Sequence, residues 1–369
     1  MSKKVLQICL SGGLGGTELY VDRIIDDLKE EGWAVYSLCL AGTEFEKIIA
    51  SKEVGHLSFK TRMAAIINFH KVAKWLKKEG VSVVHCHKSS DLRIATCLKL
   101  INPELKVFFT DHNGGKSPKK SLYHRFAYSK LTGVFSISRT TYERNKKNLP
   151  VNLDILKCLP HGVNTEKYKP YQNESDRRDK RSELGILDDK VVVCLPGRVT
   201  PGKGQQLWVK ALQQIENERF IGLSVGGFDN RTGGDEAIYK EIKTMLSEFG
   251  SEEKIRFLGH RSDIVDILPA MDIVCVPSKD EAFGLVVIES MASGVPVIGA
   301  RSGALPEIID DTSGVLVDPE NVQEWAKAIE FLINDEALRK EKGHAARQRV
   351  QELFSHKTHV AGLIESYLG

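Results

Sequence analysis

From residue 5 to residue 317, short apolar runs alternate with helix-length segments. No other feature of the chain restricts its fold as strongly. The runs are VLQICL, WAVYSLCL, VSVVHCH, KVFFTDH, GVFSIS and ILKCLPHGV, then KVVVCLPGR, FIGLSVGG, KIRFLG, DIVCVPS, VPVIGA and GVLVDP. Most are apolar at consecutive positions, as strands buried on both faces of a parallel sheet are. Between the first two, TELYVDRIIDDLKEEG carries Val21, Ile24, Ile25 and Leu28 at the i, i+3, i+4, i+7 spacing of one helix face. Gly32 follows as a stop signal. At 369 residues the chain is long for one core. Its most polar stretch, EKYKPYQNESDRRDKRSELG at 166–185, reads as a linker. The expectation is an α/β chain of two doubly wound Rossmann-like domains facing each other across a cleft. The first spans 1–170 and the second 171–352, and ligands sit beyond the carboxyl ends of the strands.

Composition excludes several classes. The chain is 41% hydrophobic and 27% charged, and no apolar stretch nears the roughly 18–20 residues of a membrane-spanning helix. The apolar run of MSKKVLQICLSGG is too short for a signal peptide and opens into a glycine-rich loop, so a strand and loop is expected there. Seven scattered cysteines include no C-x-x-C pair, which points to a reduced, cytoplasmic setting and no structural zinc. Net charge is only +3 but is unevenly spread: residues 1–170 hold 28 Lys and Arg against 16 Asp and Glu. A basic first half suits an anionic partner, whether nucleic acid, a membrane surface or an anionic acceptor, or it is a solvated lysine-rich face. Nucleic acid is not expected, because no aromatic stacking platform or basic recognition motif accompanies the charge.

Four segments could carry chemistry. SGGLGGTE at 11–18 joins the first strand to the first helix, and its glycines permit close approach of a ligand to the backbone. It lacks the third glycine of a dinucleotide fingerprint and the Gly-Lys-Ser/Thr of a P-loop. PGRVTPGKG at 196–204 follows the first strand of the second series. Its Arg198 and Lys203 form either a diphosphate clamp or two surface cations in a loop. FFTDHN places Asp111 and His112 at a strand end, where a histidine is either structural or in contact with a sugar hydroxyl or leaving group. HCH at 85–87 sets two histidines on one strand face, but no third ligand has metal-site spacing. No G-x-S-x-G elbow or H-E-x-x-H is present.

Together these pieces resemble a family 4 retaining glycosyltransferase of GT-B fold, of the type acting on cell-surface polysaccharide or lipopolysaccharide. The resemblance is carried by Glu281-Ala-Phe283-Gly284-Leu285 running to Glu289, an E-x7-E pattern, and by Met291-Ala-Ser-Gly294-Val-Pro296-Val after it. Arg198 to Lys203-Gly204 and Gly15-Gly16-Thr-Glu18 match further elements. PHGVN at 160–164 resembles an N-G-V-D turn, from which His161 and Asn164 depart.

The resemblance implies transfer of a hexose or N-acetylhexosamine from a nucleotide sugar, UDP-linked rather than GDP-linked, to a hydroxyl of a glycan or lipid-linked acceptor. Arg198 and Lys203 would neutralise the diphosphate, Glu289 would accept from the ribose, and Glu281 with the backbone at Phe283 and Gly284 would hold the sugar. Leu285 and Val286 amides would face phosphate, Gly15 and Gly16 would meet it from the first domain, and His112 would contact the sugar near the reacting carbon. His112, Glu281, Arg198 and Lys203 are the expected catalytic set, with no metal and no cofactor. A terminal helix at about 353–369 would pack back on the first domain. The segment 65–80, apolar on one face and lysine-rich, would touch anionic lipid at the inner face of the cytoplasmic membrane or be an ordinary surface helix. The competing functions are a nucleotide-sugar 2-epimerase on the same fold and a catalytically inactive binding or scaffold protein.

Overall fold

The computed structural model describes residues 3–187 and 189–369. The chain divides into two compact units: 1–160 with 357–369, and 161–356. Each is built on its own sheet, and every strand pair is parallel.

The first sheet comprises β1 (Lys4–Ile8), β2 (Ala34–Leu40), β3 (Gly55–Phe59), β4 (Val83–Cys86), β5 (Lys106–Asp111), β6 (Gly133–Ser136) and β7 (Leu156–Cys158). Their order is β3-β2-β1-β4-β5-β6-β7. Chain direction across the sheet reverses between β1 and β4, so loops after these two strands diverge and leave a crevice. Along β1 the side chains alternate between layers: Val5 and Cys9 join one buried cluster, and Leu6, Ile8 and Leu10 the other. The first cluster receives Val21, Ile24, Ile25 and Leu28 of the helix Gly16–Glu30. It also receives Val360, Leu363 and Tyr367 of the last helix, His356–Leu368. Tyr367 is fixed by its hydroxyl, 2.6 Å from His85 Nδ1. Lys106 Nζ reaches the Tyr367 and Leu368 carbonyls at 3.1 Å, a cation on a helix C-terminus. The second cluster takes Val72 and Leu76 of the helix Phe69–Glu79. The apolar face of the 65–80 segment is thus largely occupied by the core, with Ile67 left 66% exposed at the end of the helix Arg62–Ile67.

The second sheet comprises β8 (Val191–Pro196), β9 (Phe220–Val225), β10 (Ile255–Phe257), β11 (Ile273–Val276), β12 (Val297–Ala300) and β13 (Gly314–Val317), in the order β10-β9-β8-β11-β12-β13. Its switch point lies between β8 and β11. The charged stretch read as a linker is instead helical over half its length, as Glu174–Glu183. Ion pairing orders it. Arg177 Nη2 lies 2.7 Å from Asp272 Oδ1, Arg181 Nη2 pairs with Asp272 Oδ2, and the Val192 N–H donates to Asp272 Oδ2 at 2.7 Å. Arg181 is only 4% exposed, so a buried charge is matched by a carboxylate with its other valences filled. Among the described residues no helix is long and apolar enough to cross a membrane, and none of the cysteines forms a disulfide.

Candidate functional site

Three helices open on a glycine N-cap without a side-chain cap: Gly16–Glu30 after β1, Gln205–Gln213 after β8 and Leu285–Ala292 after β11. These are strands that flank the two switch points. Thr43, Thr61, Ser121, Ser138, Asp235, Asn321 and Asp335 cap their helices with side chains, while Phe69–Glu79, Leu92–Ile101, Glu174–Glu183, Ile264–Ile267 and Leu305–Ile308 lack such a bond but start on a residue other than glycine. A helix start with its amides left for something else is a ready anion site.

In the second unit, Lys203 and Glu281 meet. Lys203 Nζ lies 3.1 Å from Glu281 Oε1 and 3.0 Å from Oε2, joining the loop after β8 to the loop after β11. The backbone ties the same loops, with the Lys279 N–H donating to Gly202 O at 2.9 Å. The loop after β12 supports Glu281 from the other side. The Ala304 N–H donates to Glu281 O at 2.9 Å, and Asp280 N–H to Ser302 Oγ at 3.2 Å. Gly303 makes this possible: at φ +59° its absent Cβ would sit 2.4 Å from Glu281 O. Asp280, beside Glu281, is a non-glycine residue at φ +61°, a conformation held by its surroundings at a cost of order 1–3 kcal/mol.

Phe283 is buried, stacked edge-on to His161 with centroids 5.4 Å apart. Gly284 is the N-cap of Leu285–Ala292, so Leu285 and Val286 are the helix's first two residues. Glu289 lies one turn further in and is 6% exposed. Arg198 is exposed, its guanidinium beside Gly233 and its carbonyl held by Gln205 Nε2 at 2.8 Å. The structure therefore places Lys203 against Glu281, with Phe283, Gly284, Leu285 and Val286 directly following. Arg198 lies on the β8 loop, and Glu289 is inside the helix.

In the first unit, Gly15 and Gly16 lie at the helix start after β1. Glu18 turns back to accept from the Gly15 N–H at 2.8 Å and pairs with Lys88, from the loop after β4, at 3.0 Å. Burial raises the Glu18 carboxyl, but hydrogen bonds from Ser11 and Lys88 outweigh it and hold it below the usual range. A Cβ on Gly12, Gly13 or Gly16 would meet no atom within 4 Å. The fold itself does not require glycine at these three positions.

His112 is 8% exposed at the end of β5. Its Nε2 lies 3.2 Å from His87 Nδ1, and His87 Nε2 lies 2.7 Å from Gln7 Oε1. Tyr20 packs edge-on to His112 at 4.8 Å between centroids and places its hydroxyl 2.8 Å from His359 Nε2. Burial, with His359 nearby, pushes His112 down to about 3, so at neutral pH it is an uncharged hydrogen-bonding group. His85 is engaged by Tyr367 and by Thr110 at 2.8 Å, and His87 by Gln7 and His112. The supporting residues Gln7, Tyr20, His359 and Gly303 were not picked out from the sequence. Gln7 had one visible signal: it is the polar residue inside the apolar run VLQICL.

Two doubly wound parallel sheets, with glycine-led helices at their switch points, are the architecture of the GT-B fold. Residues 14–167 match the family described as Glycosyltransferase Family 4, and residues 176–349 the family described as Glycosyl transferases group 1. The two matched segments take in β2–β7 and β8–β13 respectively. It is 35% identical over 220 residues to a D-inositol 3-phosphate glycosyltransferase of Corynebacterium glutamicum, covering 58% of this chain and 51% of that protein. The chain spans about half the length of the curated relatives it matches. Its fold is similar to that of a glycosyltransferase from Rickettsia africae, with a TM-score of 0.89, 22% identity, and coverage of 99% of this chain and 97% of that one. It is also similar to Anabaena HepE in complex with UDP, with a TM-score of 0.85, 22% identity and 99% of both chains covered.

Proposed function

We propose that the protein transfers a hexose or N-acetylhexosamine from a nucleotide sugar to an acceptor hydroxyl, with retention of anomeric configuration. The observation that carries this reading is the Lys203–Glu281 pair at the β8/β11 switch point, beside the uncapped start of Leu285–Ala292. A departing nucleoside diphosphate concentrates negative charge, and an ammonium, a guanidinium and helix amides are the groups that stabilise it. In this proposal Arg198, Lys203 and the Leu285 and Val286 amides take the diphosphate. Glu289 accepts from the ribose hydroxyls, and Glu281 with the Phe283 and Gly284 backbone binds the sugar. Gly15 and Gly16 contact the donor phosphates, which gives the unconstrained Gly16 a use, and His112 hydrogen-bonds the sugar. The acceptor oxygen bonds to the anomeric carbon as the bond from that carbon to the phosphate oxygen breaks, and the acceptor proton passes to the leaving phosphate. No protein nucleophile is assigned.

UDP is favoured over GDP as the carrier, because the similarly folded HepE binds UDP. The acceptor is a glycan or lipid-linked hydroxyl of surface-glycan synthesis, such as lipopolysaccharide or capsule. The relatives' name adds a phosphorylated polyol to that range. The test is a thermal-shift panel of nucleotide sugars and nucleoside diphosphates, with Arg198→Ala and Glu289→Ala as controls. UDP or a UDP-sugar is expected to raise the melting temperature of the wild type and to do so weakly in both variants. Stabilisation of the wild type by no member of the panel refutes the proposal.

A further inference from the structure

The glycine loop at 11–16 is held at its ends rather than along its length. A Cβ on Gly12, Gly13 or Gly16 would meet no atom within 4 Å, and Leu14 is 43% exposed. Leu10, the residue before the loop, has both polar backbone atoms taken by side chains. Its N–H donates to Asp91 Oδ2 at 3.2 Å, and its carbonyl accepts from Arg62 Nε at 2.6 Å. One residue on, Lys88 Nζ donates to Ser11 Oγ at 2.6 Å and lies 3.0 Å from Glu18 Oε1. Glu18 Oε2 in turn accepts from the Gly15 N–H at 2.8 Å. Ser11 and Gly15 are thereby tied through one lysine and one carboxylate, with only residues 12–14 between the tied positions.

Asp91 is the unusual member of this set. It is the N-cap of the helix Leu92–Ile101, a position where an aspartate ordinarily accepts from the amides of its own first turn. Here it makes no such bond. Its oxygens go instead to the Leu10 N–H and to the Ser90 hydroxyl, each at 3.2 Å. The residue is fully buried, where a carboxyl is costly to ionise. Burial pushes it up to about 7, against the pull of the Leu10 amide, Ser90, Arg62 and Lys88. A helix cap is given up and a buried carboxyl tolerated at this point, and the bond made in return is the one to Leu10. Arg62 opens a different helix, Arg62–Ile67, so the grip ties the end of β1 to two helices.

We infer that Asp91 and Arg62 are positioning residues for the proposed transfer. Acting through Leu10, they set the direction in which the glycine loop leaves β1 and hold Gly15 and Gly16 where the donor phosphates meet them. The inference rests on the donor reading of that loop and extends it to two residues which that reading leaves without a role.

Three variants test it. Asp91→Leu removes the acceptor at similar size, and Asp91→Asn keeps one acceptor oxygen. Arg62→Met alters an exposed residue, so it carries the test should Asp91→Leu fail to fold. Hydrogen exchange of the amides at 10–16 is measured without nucleotide, with β5 and β6 as the control for folding, and UDP affinity is measured by calorimetry. Loss of one hydrogen bond to a charged group predicts about tenfold faster exchange over 10–16 in Asp91→Leu and Arg62→Met. A loop in its binding geometry a tenth of the time binds about tenfold more weakly, and UDP affinity is expected to fall by about that factor in the same two variants. Asp91→Asn, with a neutral acceptor in place, is expected to restore most of both. Unchanged exchange over 10–16 in Asp91→Leu and Arg62→Met overturns the inference. So does faster exchange with wild-type UDP affinity, or an asparagine that performs no better than leucine. A wild type that does not bind UDP refutes the donor reading instead, and the exchange measurement, made without nucleotide, still decides the grip on Leu10.

Discussion

Replacing Lys203 by alanine separates what the Lys203–Glu281 pair does for the fold from what it does for a diphosphate. Its side chains retain 38% and 19% of their exposure. A pair this accessible to water contributes little to stability, on the order of 0–1 kcal/mol. For a protein of this size that corresponds to a melting shift of no more than about 2–4 °C. Binding should respond far more strongly. Lys203 bridges both carboxylate oxygens at 3.0–3.1 Å, so its removal deletes a cation and also leaves Glu281 uncompensated beside the incoming phosphates. A lost charge-assisted hydrogen bond is worth about 1.5–3 kcal/mol, roughly 10- to 150-fold in UDP affinity, and carboxylate–phosphate repulsion adds to that. Neutralising the carboxylate should recover the added part. Lys203→Ala/Glu281→Gln is expected to bind UDP several-fold more tightly than Lys203→Ala alone. Calorimetric titration of UDP on wild type, both single variants and the double variant closes the cycle. The reasoning is refuted if Lys203→Ala binds UDP within threefold of wild type. It is equally refuted if Glu281→Gln recovers nothing on the Lys203→Ala background.

Gly303→Ala should weaken UDP binding and lower the melting temperature, since positive φ alone costs about 1–2 kcal/mol and the new Cβ overlaps Glu281 O. Gly12→Ala and Gly13→Ala should leave the unfolding free energy unchanged or raised by about 0.4–1 kcal/mol. Their turnover with the best-binding nucleotide sugar should fall, and unchanged turnover in both would remove the loop from the site. Tyr367→Phe strips His85 of a buried partner and should cost about 1–3 kcal/mol of stability, read as a lower denaturant midpoint for the first unit, with UDP affinity retained. Acidification should destabilise the first unit. His112 and His359, held down to about 3 and about 4, keep their full contribution above about pH 6.5 and lose it as pH falls toward those values. Asp91, pushed up by burial to about 7, and Asp111, also pushed up by burial, act oppositely as pH rises from about 4 to 7, but His85, held down by burial as well, makes three imidazoles against two carboxyls. Denaturation midpoints that stay flat between pH 7 and 4.5 would contradict this.

How much of this was visible in the sequence depends on how local each interaction is. The alternation of runs indicated the two parallel sheets, because strands buried on both faces are apolar at nearly every position, and β8, VVVCLP, is. The short edge strand β3, GHLSF, went unrecognised: its residues are only partly buried, so its pattern is weak. The 166–185 stretch shows the opposite failure. Nothing in its composition indicates that Asp272, about ninety residues away, neutralises Arg177 and Arg181 and makes a helix of an apparent linker.

The site divides in the same way. Glu281 and Glu289 were legible because the crossover from β11 to β12 must be helical, which separates one acid in the preceding loop from the other inside the helix. The positioning of Glu281 was not legible, because Gly303 and Ser302 belong to a loop that only the sheet order brings alongside. The same limit hid how the loop after β5 is held. In sequence, Lys116 and Lys119 are two of many cations in a basic half. In the fold, Asn145 and Asn148 tie their loop to the helix Arg139–Asn148. Charge composition is a property of the chain, but a charge held at one point over a crevice is a property of its backbone anchors. The anchoring asparagines, rather than the lysine count, are what distinguish this loop from a solvated surface.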